Sequence, residues 1–221
     1  MKRTNTKKLS IFLTFILVTA CIVTGCTPGF DASAYIKACL DANTHGEFAE
    51  YAEITKTSVE DVEALYNQGI DTEISYLDSY NISDDRKEEF RNLFIDIYKN
   101  FKYEVGEATR NDDDSYSVPV TTYKLQIFKD IMSEGEAYLT DYAQKEVDAG
   151  RTPTQEQLEE LALDYMYDTM KANLDALEYA DAVTINVTVS PSQTGSQTVY
   201  SVSQADLQTL LESFIDIENA Q

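Results

Sequence analysis

Phe90-Arg91-Asn92-Leu93-Phe94-Ile95-Asp96-Ile97-Tyr98-Lys99-Asn100-Phe101-Lys102-Tyr103-Glu104-Val105 is the stretch that decides the fold. Its first part places large apolar side chains at 90, 93, 94, 97, 98 and 101, the spacing of one face of an α-helix. Its last part drops to a period of two, with Tyr103 and Val105 alternating with Lys102 and Glu104, the pattern of a strand with one buried face. A change of period within a few residues puts helix and strand into one local unit and points to an α+β fold.

Beyond this stretch the alternation resumes at Tyr116, Val118 and Val120, so Asn111-Asp112-Asp113-Asp114 is expected to be a hairpin tip. Pro119 has no N–H for a ladder and predicts an edge or a bulge. Leu125, Phe128, Ile131, Met132, Leu139 and Tyr142 predict a helix ending near Gly150. Thr152-Pro153-Thr154-Gln155 reads as an N-cap, a first-turn proline and a capping-box glutamine. The helix it opens is expected to reach about Ala180. Val183, Ile185, Val187 and Val189 form the clearest strand. Ser190 to Gln197 is expected to be a flexible turn, Tyr200 and Val202 the returning strand, and Ser203 the cap of a last helix.

On the N-terminal side, Ser83 caps the helix that carries Phe90. Thr57-Ser58-Val59-Glu60 and Thr44-His45-Gly46-Glu47 read as capping boxes. Asp31 is expected to start a helix reaching about Asn43, with Tyr35, Ile36, Cys39 and Leu40 on one face. An order of helix, hairpin and helix occurs twice, near 84–148 and 154–217. Isolated hairpins are marginal, so the two are expected to join in one four-stranded antiparallel sheet packed against helices. The expected organisation is a signal peptide over 1–25, a lipidated linker over 26–30 and a single helix-rich α+β domain over 31–218, divisible near 31–150 and 151–218.

The leader sets the expected location. Lys2, Arg3, Lys7 and Lys8 precede an apolar run over residues 9–23, the charge and apolar regions of an export signal. That run is shorter than the ~20 residues a membrane-spanning helix needs. Val23-Thr24-Gly25-Cys26 reads as a lipobox: small residues let the extended leader fit a signal peptidase, and the Cys26 thiol takes a diacylglyceryl group. Val18-Thr19-Ala20-Cys21 is a competing box. Cys26 is preferred because Gly25 precedes it and the polar Thr27-Pro28-Gly29 linker follows. Two acyl chains hold a protein stably where one does not. The expected location is therefore the extracytoplasmic face of the cell membrane.

The chain has 221 residues, with 17 Lys+Arg against 39 Asp+Glu. Removing the leader with its four positive charges takes the net charge from −22 to −26. A phosphate backbone requires a basic footprint, so nucleic acid is excluded as a partner. With Cys21 removed and Cys26 acylated, Cys39 is expected to be a small buried hydrophobe, with no internal disulfide in the mature chain.

No motif marks a catalytic residue, a cofactor or a metal. Asp112, Asp113 and Asp114 offer oxygens at a hairpin tip, but the spacing of a calcium loop is missing, and solvated turn acids explain them. Tyr35, Tyr66, Tyr98, Tyr142 and Tyr165 fall on apolar stripes and read as core. Asn186-Val187-Thr188 matches a glycosylation acceptor but falls in a strand.

Phe30-Asp-Ala-Ser-Ala-Tyr-Ile-Lys-Ala-Cys-Leu-Asp41, Gly46-Glu-Phe-Ala-Glu-Tyr51, Phe101-Lys-Tyr-Glu-Val-Gly-Glu-Ala108 and Leu125-Gln-Ile-Phe-Lys-Asp-Ile131 resemble segments of lipoproteins of Gram-positive bacteria that carry a domain of unknown function. The resemblance spans most of residues 30–217. It implies surface anchoring, assigns no activity, and carries over one functional residue, the lipobox Cys26. The expected function is a non-enzymatic binding or interaction module at the cell envelope, with a small ligand or an envelope protein as partner. A divalent-cation-binding surface protein and a carboxylate-dependent hydrolase are the alternatives.

Overall fold

The computed structural model describes residues 22–24, 30–194 and 197–216. Cys26 lies outside the described residues, as do residues 1–21 and 25–29 around it. The elements follow the periodicity. Helix α1 spans Ala32–Leu40, α2 Ala49–Thr55, α3 Val59–Ile74 and α4 Asp84–Lys99. Strands β2 (Lys102–Val105), β3 (Thr109–Arg110) and β4 (Tyr116–Leu125) come next, then helices α5 (Ile131–Asp148) and α6 (Gln155–Ala176). Strands β5 (Tyr179–Thr194) and β6 (Gln197–Val202) lead to α7 (Gln204–Glu212). A short strand near the N-terminus, β1, spans Ile22–Thr24.

The two hairpins join as expected. β4 and β5 pair antiparallel from Tyr116↔Val189 to Leu125↔Tyr179, giving the sheet order β1-β6-β5-β4-β2 with β3 beside β4. One face of the sheet carries Val118, Val120, Val187 and Val189, all fully buried. These side chains belong to the same cluster as Tyr35, Phe90, Ile97, Leu210 and Phe214 from the helices. The layering is α+β, with the helical apolar stripes closing one face of an antiparallel sheet. α7 also finishes an edge of the sheet: the Thr188 N–H donates to Asp206 Oδ2 at 2.8 Å.

Pro119 lies inside an interior strand, opposite the break between β2 and β3. There the Gly106 N–H donates to the Pro119 carbonyl at 2.8 Å. A Cβ on Gly106 would lie 2.8 Å from Pro119 Cγ, so glycine lets the two backbones meet at this irregularity.

Several local expectations are corrected. Thr44 caps nothing: residues Asp41–His45 form a π-helical turn, the Thr44 hydroxyl donates back to the Leu40 carbonyl at 2.8 Å, and Gly46 ends the turn at φ +69°. The cap of α3 is Ser58, which accepts from the Asp61 N–H, rather than Thr57. The capping box of α6 is Thr154 with Gln157, two residues beyond the one read from sequence, because Pro153 lies before the helix. Leu125 ends β4 instead of starting a helix; its N–H donates to the Phe214 carbonyl and its carbonyl accepts from the Asp216 N–H. Ser190–Thr194 continue the ladder to β6, so the flexible turn is mostly strand. Cys39 is buried as expected, at 2 % exposed; in the full chain it is held in a disulfide, whereas the expectation of none concerned the mature chain, and Cys21 and Cys26 lie outside the described residues.

Candidate functional site

Helix α5 differs from the helices around the core. Of its 18 residues only Ile131 and Gly135 are buried. Tyr138 and Val147 on it are 45 % and 56 % exposed. The helix is positioned from α6. Asn173 Nδ2 donates to the carbonyls of Ile127 and Lys129 at 3.1 and 3.0 Å, and Lys129 pairs with Glu178 at 2.8 Å. These bonds hold the turn in which Asp130 takes a left-handed conformation, φ 62°, just before α5 begins. From there α5 leaves the core and lies along α6.

Between the two helices is a groove of about 420 Å³. Its α5 wall carries Met132, Leu139 and Ala143, and its α6 wall carries Leu158, Ala162 and Met166. Gly135 lets α6 approach closely: a Cβ there would lie 3.1 Å from the Tyr165 ring. Tyr165, which is part of the lining, stacks on Tyr138 at 4.9 Å. Glu136 is the one charged residue in the lining. The walls hold no nucleophile beside a base and no pair of carboxylates. What such a surface offers is apolar area and shape, the chemistry of binding.

Two buried polar clusters lie elsewhere and act as structure. In the first, Tyr103 Oη and Lys37 Nζ both donate to the Asp41 carboxylate. His45 stacks on Tyr103 at 5.3 Å, and its Nε2–H donates to the Phe101 carbonyl at 3.0 Å, since a carbonyl can only accept. This cluster ties the π-turn to the start of β2. Burial, and then the bond to Asp41, push the Tyr103 phenol well above its ordinary value. In the second, the Tyr98 hydroxyl donates to Glu73 between α3 and α4. Burial pushes the Glu73 carboxyl up to about 7, and the Tyr98 bond opposes that rise. The Tyr66 hydroxyl beside them is enclosed without a hydrogen-bond partner among the described residues.

The sequence-predicted candidates are placed as follows. Cys26 lies outside the described residues. Asp112, Asp113 and Asp114 sit exposed at the hairpin tip. Asp113 Oδ1 accepts from the Ser115 N–H and hydroxyl at 3.1 and 2.6 Å, and Asp114 pairs with Arg110 at 2.5 Å. Among the described residues no three His, Cys, Asp or Glu side chains converge as metal ligands. Tyr35 and Tyr98 are core residues, while Tyr66, Tyr142 and Tyr165 are half-buried. Sequence reasoning missed the groove because the Leu139 and Tyr165 stripes read as ordinary core-facing helix. The available signal was that two long apolar stripes follow each other with only one turn between them.

No protein-family model matches the chain, and no curated protein matches it. Among solved structures, it is similar to the crystal structure of a candidate lipoprotein (ycdA) from Bacillus subtilis subsp. subtilis str. 168, with a TM-score of 0.55 at 18 % identity. The match covers 84 % of this chain, which spans 56 % of that protein's length. The likeness is one of fold.

Proposed function

We propose that this protein is a lipid-anchored, non-enzymatic binding module on the extracytoplasmic face of the membrane, with the α5–α6 groove as its binding surface. The groove carries the reading: apolar side chains line a concave surface on a helix that the core leaves exposed. The leader supports the location, and so does a fold shared with a candidate lipoprotein. Among the described residues no helix is long and apolar enough to cross a membrane.

Phe30 supports a short tether. Its ring stacks on Tyr200 at 3.9 Å and meets Tyr116 edge-on, pinning the chain to the sheet four residues after Cys26. Four extended residues span about 14 Å, so an anchor at Cys26 holds the domain close to the bilayer. Cleavage before Cys26 removes β1 from its pairing with Val199–Ser201, leaving β6 as an edge.

Two measurements test the reading. In cells fed a labelled palmitate analogue, the wild-type protein is expected to carry label and partition into detergent, and Cys26→Ala to carry none. Label retained by Cys26→Ala would sink the anchor. For the groove, an apolar dye that brightens out of water is expected to brighten on the wild-type protein and to lose that signal in Leu139→Asp. Equal brightening with both proteins would place the apolar site elsewhere.

A further inference from the structure

We infer that the α5–α6 groove receives a cationic amphipathic helix of a partner, packed as a third helix against the pair. The inference rests on the reading of the protein as a binding module and names its partner's chemistry.

The first observation is shape. The groove is walled by two neighbouring helices, so its apolar side chains recur at helical spacing on both sides: Met132, Leu139 and Ala143 on α5, Leu158 and Ala162 on α6. Ridges at that spacing accept the ridges of another helix. Small residues at 135, 143 and 162 leave room for a backbone to come close. From Met132 to Ala143 the wall runs about 16 Å at 1.5 Å per residue, room for a helix of about three turns.

The second observation is charge. Between Ile131 and Ala176 the hairpin carries 11 acids and 3 bases. Two of the bases are already engaged, Lys145 with Asp141 at 2.6 Å and Arg151 with Glu146 at 2.6 Å. Lys171 lies over the Tyr167 ring, 6.0 Å from its centre. The field around the groove is therefore negative, with Glu136 in its wall. An apolar helix with Lys or Arg along its flanks matches both features. A second copy of this chain does not, because it brings the same negative hairpin. An anionic lipid surface fails for the same reason.

The test uses the purified full chain in phosphatidylcholine nanodiscs, read against empty nanodiscs of the same lipid. The probes are two synthetic amphipathic helices matched to the groove in length, one Leu/Lys and one Leu/Gln. The Leu/Lys helix is expected to bind roughly tenfold more tightly than the Leu/Gln helix, and to weaken as salt is raised. Glu136→Lys is expected to weaken it about fivefold, and Thr140→Arg, an exposed change on the groove wall, to abolish binding without unfolding the protein. Equal affinity for the two helices overturns the cationic partner and leaves the binding groove standing. Absence of binding by either helix overturns both readings. Binding untouched by Thr140→Arg overturns the placement in the groove.

Discussion

Phe214→Ala is expected to lower the stability of the folded protein by about 3–5 kcal/mol. Phe214 is fully buried. Its ring stacks on Phe101 at 4.8 Å and 8° and meets Tyr103 edge-on at 5.8 Å. It thereby joins the end of α4, the start of β2 and the turn after α7. Truncation loses the transfer free energy of the ring and leaves a cavity that three separate elements would have to close together. Its carbonyl still accepts from the Leu125 N–H at 2.8 Å, so the backbone connection to β4 survives and the loss is one of packing. For a chain of this size the melting temperature should fall by roughly 10 °C. Val147→Ala, at a position 56 % exposed, is the control and should stay within about 0.5 kcal/mol of wild type. Chemical denaturation of the two variants decides the matter; a loss below about 1 kcal/mol at Phe214 would show that this junction is not packed as described.

Glu73→Gln is expected to stabilise the protein at neutral and alkaline pH. Burial between α3 and α4 raises the Glu73 carboxyl to about 7 in the folded state, against an ordinary value of 4.5. A raised carboxyl pKa means that the folded state resists ionisation which the unfolded chain undergoes freely. The wild type therefore keeps its full stability below the unfolded value and loses it progressively as pH climbs from about 4.5 to about 7. The loss is complete above that window, at about 3 kcal/mol or less. Glutamine keeps an oxygen that accepts the Tyr98 hydroxyl and has no charge to bury. Urea unfolding near pH 4 should find the two proteins about equal, and near pH 8 the variant more stable by about 2–3 kcal/mol. Other titrating groups cancel in the difference between the two proteins. A difference independent of pH would mean that Glu73 ionises as it does in water.

These two positions also show how unevenly the sequence speaks. Glu73 falls on the apolar face of α3, three residues after Ile70 and seven after Tyr66, but nothing in its neighbours announces that Tyr98, 25 residues later, will enclose it. Phe214 reads only as another apolar residue near the end of α7. Both become consequential through contacts between distant segments, which periodicity along the chain does not encode. The capping boxes teach the same lesson at short range. Ser83 and Ser203 are caps as read, because each precedes a single well-marked stripe. At Thr44 two outcomes compete, and the hydroxyl goes back to the Leu40 carbonyl because the chain prolongs α1 by a π-turn that brings Asp41 and His45 to Tyr103.

What the sequence by itself determined is the α+β class, the helix-rich composition and the pairing of the two hairpins into one sheet. The physical reason is that period and burial are local: a stripe at 3.6 or an alternation at 2 states which face must leave water, and two marginal hairpins with apolar faces find that shelter in each other. What only the tertiary structure decided is where the apolar surface goes unused. The stripes of α5 and α6 resemble those of the core helices, but the turn at Asp130, clamped by Asn173, aims α5 along α6 and away from the sheet. Whether an apolar stripe becomes core or an open groove depends on what the rest of the chain brings against it, and that is settled only when the elements are packed.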